Sequence, residues 1–276
     1  MDEPYPARSL SRQEAQVVAW LEADRRRTVT VDEIEAALAW RREVVLKVLS
    51  RLARKGWLVR LARGRYETLL AETGGVALPN PWAALSVWRQ QYFVGFQSAA
   101  YELGLTPDRP GDVQACVPLG ARRPRAWVGI PIALIWQQAF TRAGVEKRQV
   151  HDVPVWIASP ERVLVDAAAR PSRVGGIAGL VRMVDRGADG ADWPRVVALS
   201  AEIPRGRPAL KRLAHLLDLI GAEVPAALDA AAAASPTEHP IRLGDTRVHG
   251  GAGEVDRRYG VIRNVDADML REEVRR

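Results

Sequence analysis

A chain of 276 residues that holds one cysteine, three methionines, three phenylalanines and four histidines is poor in the usual metal ligands and redox groups. The lone Cys116 excludes an intramolecular disulfide framework and any zinc site built on several thiolates. His151, His215, His239 and His249 have no metal-ligand spacing, and no HExxH motif joins two of them to a glutamate. No metal, no cofactor and no catalytic residue is therefore expected. Long apolar runs are also missing. Nothing approaches the roughly 18–20 consecutive apolar residues of a membrane span, and "MDEPYPARSLSRQ" lacks the basic-then-apolar order of a secretion signal. A cytoplasmic protein without a membrane partner is the expectation.

What the chain does have is an apolar fraction of 47% and a charged fraction of 26%, a composition able to bury a core. At about 100–200 residues per domain, its length suggests two domains. The formal net charge is +7. Nine basic residues and a single acid, Glu43, lie between Arg41 and Tyr66, so the remainder of the chain is close to neutral. A local excess of this kind points to a polyanionic partner.

Sequence signals around that segment define its elements. Ser11 with Glu14 and Thr30 with Glu33 fit capping boxes, each followed by apolar residues at helical spacing. Val29 and Ile34 are placed as a hydrophobic staple over the second start. A third helix begins near Arg41, with Val44, Val45, Val48, Leu49 and Leu52 on one face and Gly56 as its left-handed stop. "WLVRL" and "RYETLL" then read as two strands joined by a turn at Gly64. Three short helices and a hairpin predict a winged helix-turn-helix over residues 8–70, binding double-stranded DNA. In such a domain the third helix enters the major groove and the hairpin reaches the flanking backbone. Arg41 and Arg42, at the helix start, are the candidates for base edges, because Arg bonds bidentately to guanine. Lys47, Arg51, Arg54 and Lys55 along the helix, with Arg63 and Arg65 on the wing, are the candidates for phosphates. The same charge could instead clothe a solvated helix or a protein-docking module.

Residues 71–80 read as a linker, and 81–276 as a larger mixed α+β domain. Asn80–Pro81 and Ser159–Pro160 are cap-and-first-turn pairs. "YFVGFQSAAYELGL" reads as a short strand leading into a helix. "DVQACVPL", "RAWVGIPIALIW" and "VPVWIAS" are β-type runs, after which helical patterns dominate until strands return in "IRLGDTRVHGGAGEVDRRYGVIRN" ahead of a charged tail. Strands clustered before and after a helical block argue for α+β. "GGAGE" at 250–254 lacks the Lys-Ser/Thr of a phosphate-cradling loop and reads as a hairpin tip. Glu161 and Asp166 lie too far apart around their helix for a general acid/base pair, and read as structural acids.

With these elements in place the chain resembles the AbiEi-type antitoxins, the antitoxin halves of AbiE-type toxin–antitoxin operons. The likeness is carried by "LSRLARKGWLVRLARGRY" at 49–66, "YFVGFQSAAYELGL" at 92–105, "VPVWIASPERVLVDAAARPSRVGGIAGL" at 153–180 and "LKRLAHLLDLIGA" at 210–222. The resemblance implies a winged helix that binds inverted repeats upstream of its own operon and represses it. It also implies a C-terminal domain that neutralises a nucleotidyltransferase-like toxin, with Arg170, Arg173 and Arg182 around the "RPSRVGG" turn as exposed contacts. Two other readings compete. A one-component repressor would sense a small molecule in an aromatic-lined pocket of its C-terminal domain. An endonuclease would need clustered acids beside a strand-borne lysine, a pattern the sequence does not offer.

Overall fold

A computed structural model of the chain describes residues 10–24, 26–69, 80–127, 129–234 and 240–275. The expected linker lies outside these apart from Asn80, as do His239 and the first two residues of the expected N-terminal domain. Two compact units are formed. One takes in the described residues up to Gln90 together with Arg122–Pro131 and Gln149–Val155, and the other holds Gln91–Ala121, Ile132–Arg148 and Trp156 onward.

In the first unit, α1 (Arg12–Ala23) and α2 (Val31–Leu38) both start on the capping boxes that the sequence offers. The Ser11 amide donates to the Glu14 carboxylate at 2.7 Å, and the Thr30 amide donates to Glu33 at 2.7 Å. A short strand not anticipated from the sequence, β1 (Thr28–Thr30), precedes α2. It pairs antiparallel with β3 (Arg65–Thr68), which pairs on its other side with β2 (Leu58–Ala62). Arg63 and Gly64 form the tight turn between β2 and β3. Gly64 supplies the positive φ of +71°, and its carbonyl accepts the Val31 amide at 3.0 Å.

Between α2 and α3 (Arg42–Arg54) only three residues intervene, with Ala39 left-handed at φ +52°. Arg41 stands at the N-cap of α3 without a side-chain cap bond. The helix forms regardless, because Val45, Val48, Leu49 and Leu52 are wholly buried. At about 1.5–3 kcal/mol per apolar side chain, their burial outweighs the roughly 1 kcal/mol a cap supplies. Val17, Leu21, Ile34, Leu58 and Tyr66 complete this core.

Glu67 sits buried on the central strand of that sheet and accepts the Asn80 amide at 2.9 Å. Burial raises its pKa to about 7, against the opposing pull of that bond and of Arg27. In the unfolded chain the group loses its proton near 4.3, so between there and 7 the folded state holds a proton that the unfolded state does not. Stability therefore falls as pH rises through this window, by roughly 3–4 kcal/mol in total. Glu67→Gln is expected to melt higher than the natural protein at pH 8 and to lose that advantage below pH ~4, as thermal unfolding monitored by circular dichroism across pH would test.

Two excursions from later in the chain complete the first unit. Trp127, in a single 3-10 turn where the sequence suggested strand, packs its ring 4.8 Å from that of Trp88. His151 packs 5.5 Å from Trp82 of α4 (Pro81–Ser86), and Asp152 pairs with Arg27 at 3.0 Å.

The second unit holds most of a mixed sheet, of which residues 149–150 and 153–155 are counted with the first. Its strands are β4 (Phe93–Val94), β5 (Val113–Pro118), β6 (Ile132–Gln137), β7 (Val145–Val150) and β8 (Val153–Ala158), in the order β6-β5-β4-β8-β7. A strand at β7 is not apparent from "VEKRQV", whose only wholly apolar positions are its two ends. Gly95 links β4 to α5 (Phe96–Glu102), where a Cβ would lie 3.1 Å from the Cys116 sulfur and from the Phe93 ring.

Ser159 caps α6 (Pro160–Ala169), whose face is buried by α8 (Trp193–Glu202) and α9 (Gly206–Ile220). Arg162 of α6 has no exposed surface. Its Nε donates to Asp166 at 2.8 Å, its Nη1 donates to the Ala143 carbonyl at 2.6 Å, and its guanidinium lies 4.8 Å above the Phe93 ring. Asp166 is thus a structural acid, as is the buried Glu161, which accepts the Ser159 hydroxyl at 2.7 Å.

Beyond α7 (Gly176–Gly187) and α10 (Ala226–Ala233) comes a second small sheet. In it β11 (Val261–Arg263) lies parallel to β9 (Ile241–Arg242) and antiparallel to β10 (Glu254–Asp256). The hairpin between β10 and β11 turns at 257–260, so "GGAGE" is not its tip but the approach to β10. The charged tail is a helix, α12 (Ala267–Arg275), anchored by the fully buried Leu270 and packed on α7 and α9.

Candidate nucleic-acid interface

The face of α3 opposite its core carries Glu43, Leu46, Lys47, Ser50 and Arg54, all exposed. Leu46 is 41% exposed, an apolar side chain at the surface that charge-based reasoning passes over. Arg41 and Arg63 are exposed and Arg65 is half-buried, while Arg60 on β2 adds an exposed cation that the sequence reading left out of the set. Its signal was present in the outward phase of the strand. No ion pair engages Arg41, Lys47, Arg54, Arg60, Arg63 or Arg65 among the described residues.

The other three cations are engaged. Arg42 donates to both Asp32 and Glu35 of α2 at 2.6 Å, and its presence lowers the Asp32 pKa. With two carboxylates on one guanidinium, the local field is not that of a base-reading arginine. Lys55 bonds Glu14 at 2.6 Å, and Arg51 lies 3.5 Å from the other oxygen of that carboxylate. Glu14 is wholly buried, and its pKa falls to about 2, first because of Lys55 and then because of the Ser11 amide. The carboxylate is therefore charged at any physiological pH and holds α1 to the end of α3. Arg51 and Lys55, expected among the phosphate contacts, are thus engaged by Glu14 within the fold.

In the second unit Arg170 and Arg173 flank a 3-10 turn, Pro171–Arg173, at the end of α6. Neither has an ion-pair partner among the described residues, and Arg173 is exposed. Arg182 differs. It is paired with Asp108 at 2.9 Å and with Glu273, and its side chain is only 27% exposed, so it ties α7 to α12 and does not stand as a free contact. No group of three or more His, Cys, Asp or Glu side chains suited to a metal occurs among the described residues. No helix is long and apolar enough to cross a membrane among them.

Residues 93–219, which span the mixed sheet and the helical block through α9, match the AbiEi antitoxin C-terminal domain. That match covers a little under half of the chain and supports an antitoxin role in a toxin–antitoxin system. The fold is shared with a crystallised protein, RV2827C from Mycobacterium tuberculosis. The two superpose with a TM-score of 0.69 over 95% of each chain, at 23% sequence identity. At that identity the likeness is one of mixed α+β architecture. No curated protein sequence matches the chain.

Proposed function

We propose that residues 10–69 form a winged helix-turn-helix through which this antitoxin binds inverted repeats upstream of its own operon and represses transcription. The C-terminal unit, in this reading, opposes a nucleotidyltransferase-like toxin, and the role of the chain is regulatory, without catalysis. The observation that carries the DNA half is the charge on α3 and the β2–β3 turn. After the engaged cations are set aside, Arg41, Lys47, Arg54, Arg60, Arg63 and Arg65 still stand unpaired on these two elements among the described residues. A three-residue connection between α2 and α3 and a two-residue hairpin turn support the same reading. Arg41, uncapped and unpaired at the head of α3, takes the base-reading role alone. The antitoxin half rests on the family of the C-terminal domain.

Titration of the protein's own upstream DNA across salt tests the electrostatic part. With about five cations on phosphates, log affinity should fall against log salt with a slope of about −4.5, at about 0.9 per phosphate. A response that is flat in salt rejects it. A repressor that senses a small molecule through aromatics finds little support in a cavity of about 890 Å³ in the second unit, which is lined mainly by arginines, glycines and aliphatic side chains and by no Phe, Tyr or Trp.

A further inference from the structure

We infer that the C-terminal unit binds a nucleoside polyphosphate in a cavity between the end of α6, the start of α7, the start of α9 and the 243–249 segment. The cavity has a volume of about 890 Å³, within the range of small-molecule sites. This goes beyond the DNA-binding and antitoxin reading and does not depend on either.

The chemistry of the walls sets the ligand class. Arg170, Arg173 and Arg205 line the cavity with no hydrogen-bond or ion-pair partner for their guanidinium groups among the described residues. Arg212 also lines the cavity, with three of its five N–H donors held by the Arg242 and Ala168 carbonyls. A smaller recess of about 230 Å³ shares Ala169, Arg170 and Arg205 with this space and is lined by Arg162. Arg162 is wholly buried, and its Nη2 has no hydrogen-bond partner among the described residues. A buried guanidinium nitrogen left unsatisfied is costly, and an oxyanion in the recess would satisfy it. Two acids face these spaces. Asp166 is occupied by Arg162, and Asp245 accepts the Arg247 amide as the cap of α11 (Thr246–His249). His249 lies at the edge. The balance is cationic.

Backbone geometry adds to the arginines. Gly175 and Gly176 have φ of +81° and +77°, and α7 begins there over twelve residues without a side-chain cap. Its first amides are open to an anion. Arg205 is itself left-handed at φ +64°, a conformation an arginine adopts only when its surroundings enforce it. The constraint is visible in the next residue, since a Cβ on Gly206 would lie 1.8 Å from the Ser200 carbonyl oxygen. Ile177, Leu243, Val248 and Met269 add apolar side chains to the lining, and Val248 is 73% exposed. A phosphate chain on the arginines and a flat base on these apolar side chains would use both kinds of lining, whereas an inorganic anion would use only one.

Isothermal titration of the full chain with ATP and with GTP, against adenosine and inorganic pyrophosphate, tests the assignment. At least one nucleotide should bind with an affinity of roughly 1–100 μM, adenosine should give no heat, and pyrophosphate should bind at least tenfold more weakly than the nucleotide. Arg170→Glu with Arg173→Glu should weaken nucleotide binding tenfold or more. Arg205→Asn, which tolerates the left-handed backbone, should do the same if the double variant fails to fold. No binding at about 5 mM nucleotide, or binding retained by both variants, overturns the site. Pyrophosphate binding as tightly as nucleotide overturns the nucleoside part.

Discussion

Lys47→Glu combined with Arg54→Glu should abolish binding to operator DNA while leaving protection from the toxin intact. Both side chains lie on the outer face of α3, exposed and unpaired among the described residues. Their replacement touches neither the core nor an ion pair. Each reversal removes one phosphate contact and adds a repulsion, so the salt slope should drop by about two and affinity by a hundredfold or more, about 3 kcal/mol. Replacing Lys55 instead would release the buried Glu14 and confuse binding with folding. A promoter reporter and growth under toxin co-expression read the two halves separately. Retained repression would sink the α3 assignment, and loss of protection together with repression would sink the division of labour between the units.

Arg162→Met should cost the second unit about 3–5 kcal/mol, measured by urea unfolding. The substitution leaves Asp166 buried opposite an apolar side chain and strands the Ala143 carbonyl. Burial already pushes the Asp166 carboxyl up, with Arg162 pulling it back. Without the guanidinium it shifts further and takes up a proton, so the deficit should shrink as the medium is acidified. Adding Asp166→Leu should recover much of the loss, since an apolar pair of suitable volume often replaces a buried ion pair without penalty. A single variant as stable as the natural protein would show that the pair contributes little.

Local signals proved the most readable part of this sequence. Ser11–Glu14, Thr30–Glu33, Asn80–Pro81 and Ser159–Pro160 each act over three residues or fewer, and each marks a helix start in the structure. The buried face of α3 followed from spacing alone. Where the reading stopped short, the cause was distance along the chain. Glu14 reaches Lys55 across 41 positions, and nothing in either neighbourhood announces the contact. Arg42 is drawn to acids on a different helix, so its charge counts toward the cluster but not toward the free cations. The strand β7 and the helix α12 were hidden by charge, because a half-exposed element needs few apolar residues. The arginine-lined cavity gathers Arg170, Arg173 and Arg205 from two separate segments, a convergence that only the tertiary fold creates.

The five crossings of the chain between its two units, at Gln90, Ala121, Pro131, Arg148 and Val155, impose an order on its biogenesis. A ribosome must deliver residue 155 before the first unit possesses all its parts, by which time less than a third of the other is already waiting. Cutting the chain between Leu69 and Asn80 would sever β2 from α4 and from the 3-10 turn at Trp127, which pack on it, and Arg27 from Asp152, so neither half can be transplanted as a clean cassette. Any recombination between relatives that exchanges operator specificity has to carry the two excursions along, or accept a damaged hybrid.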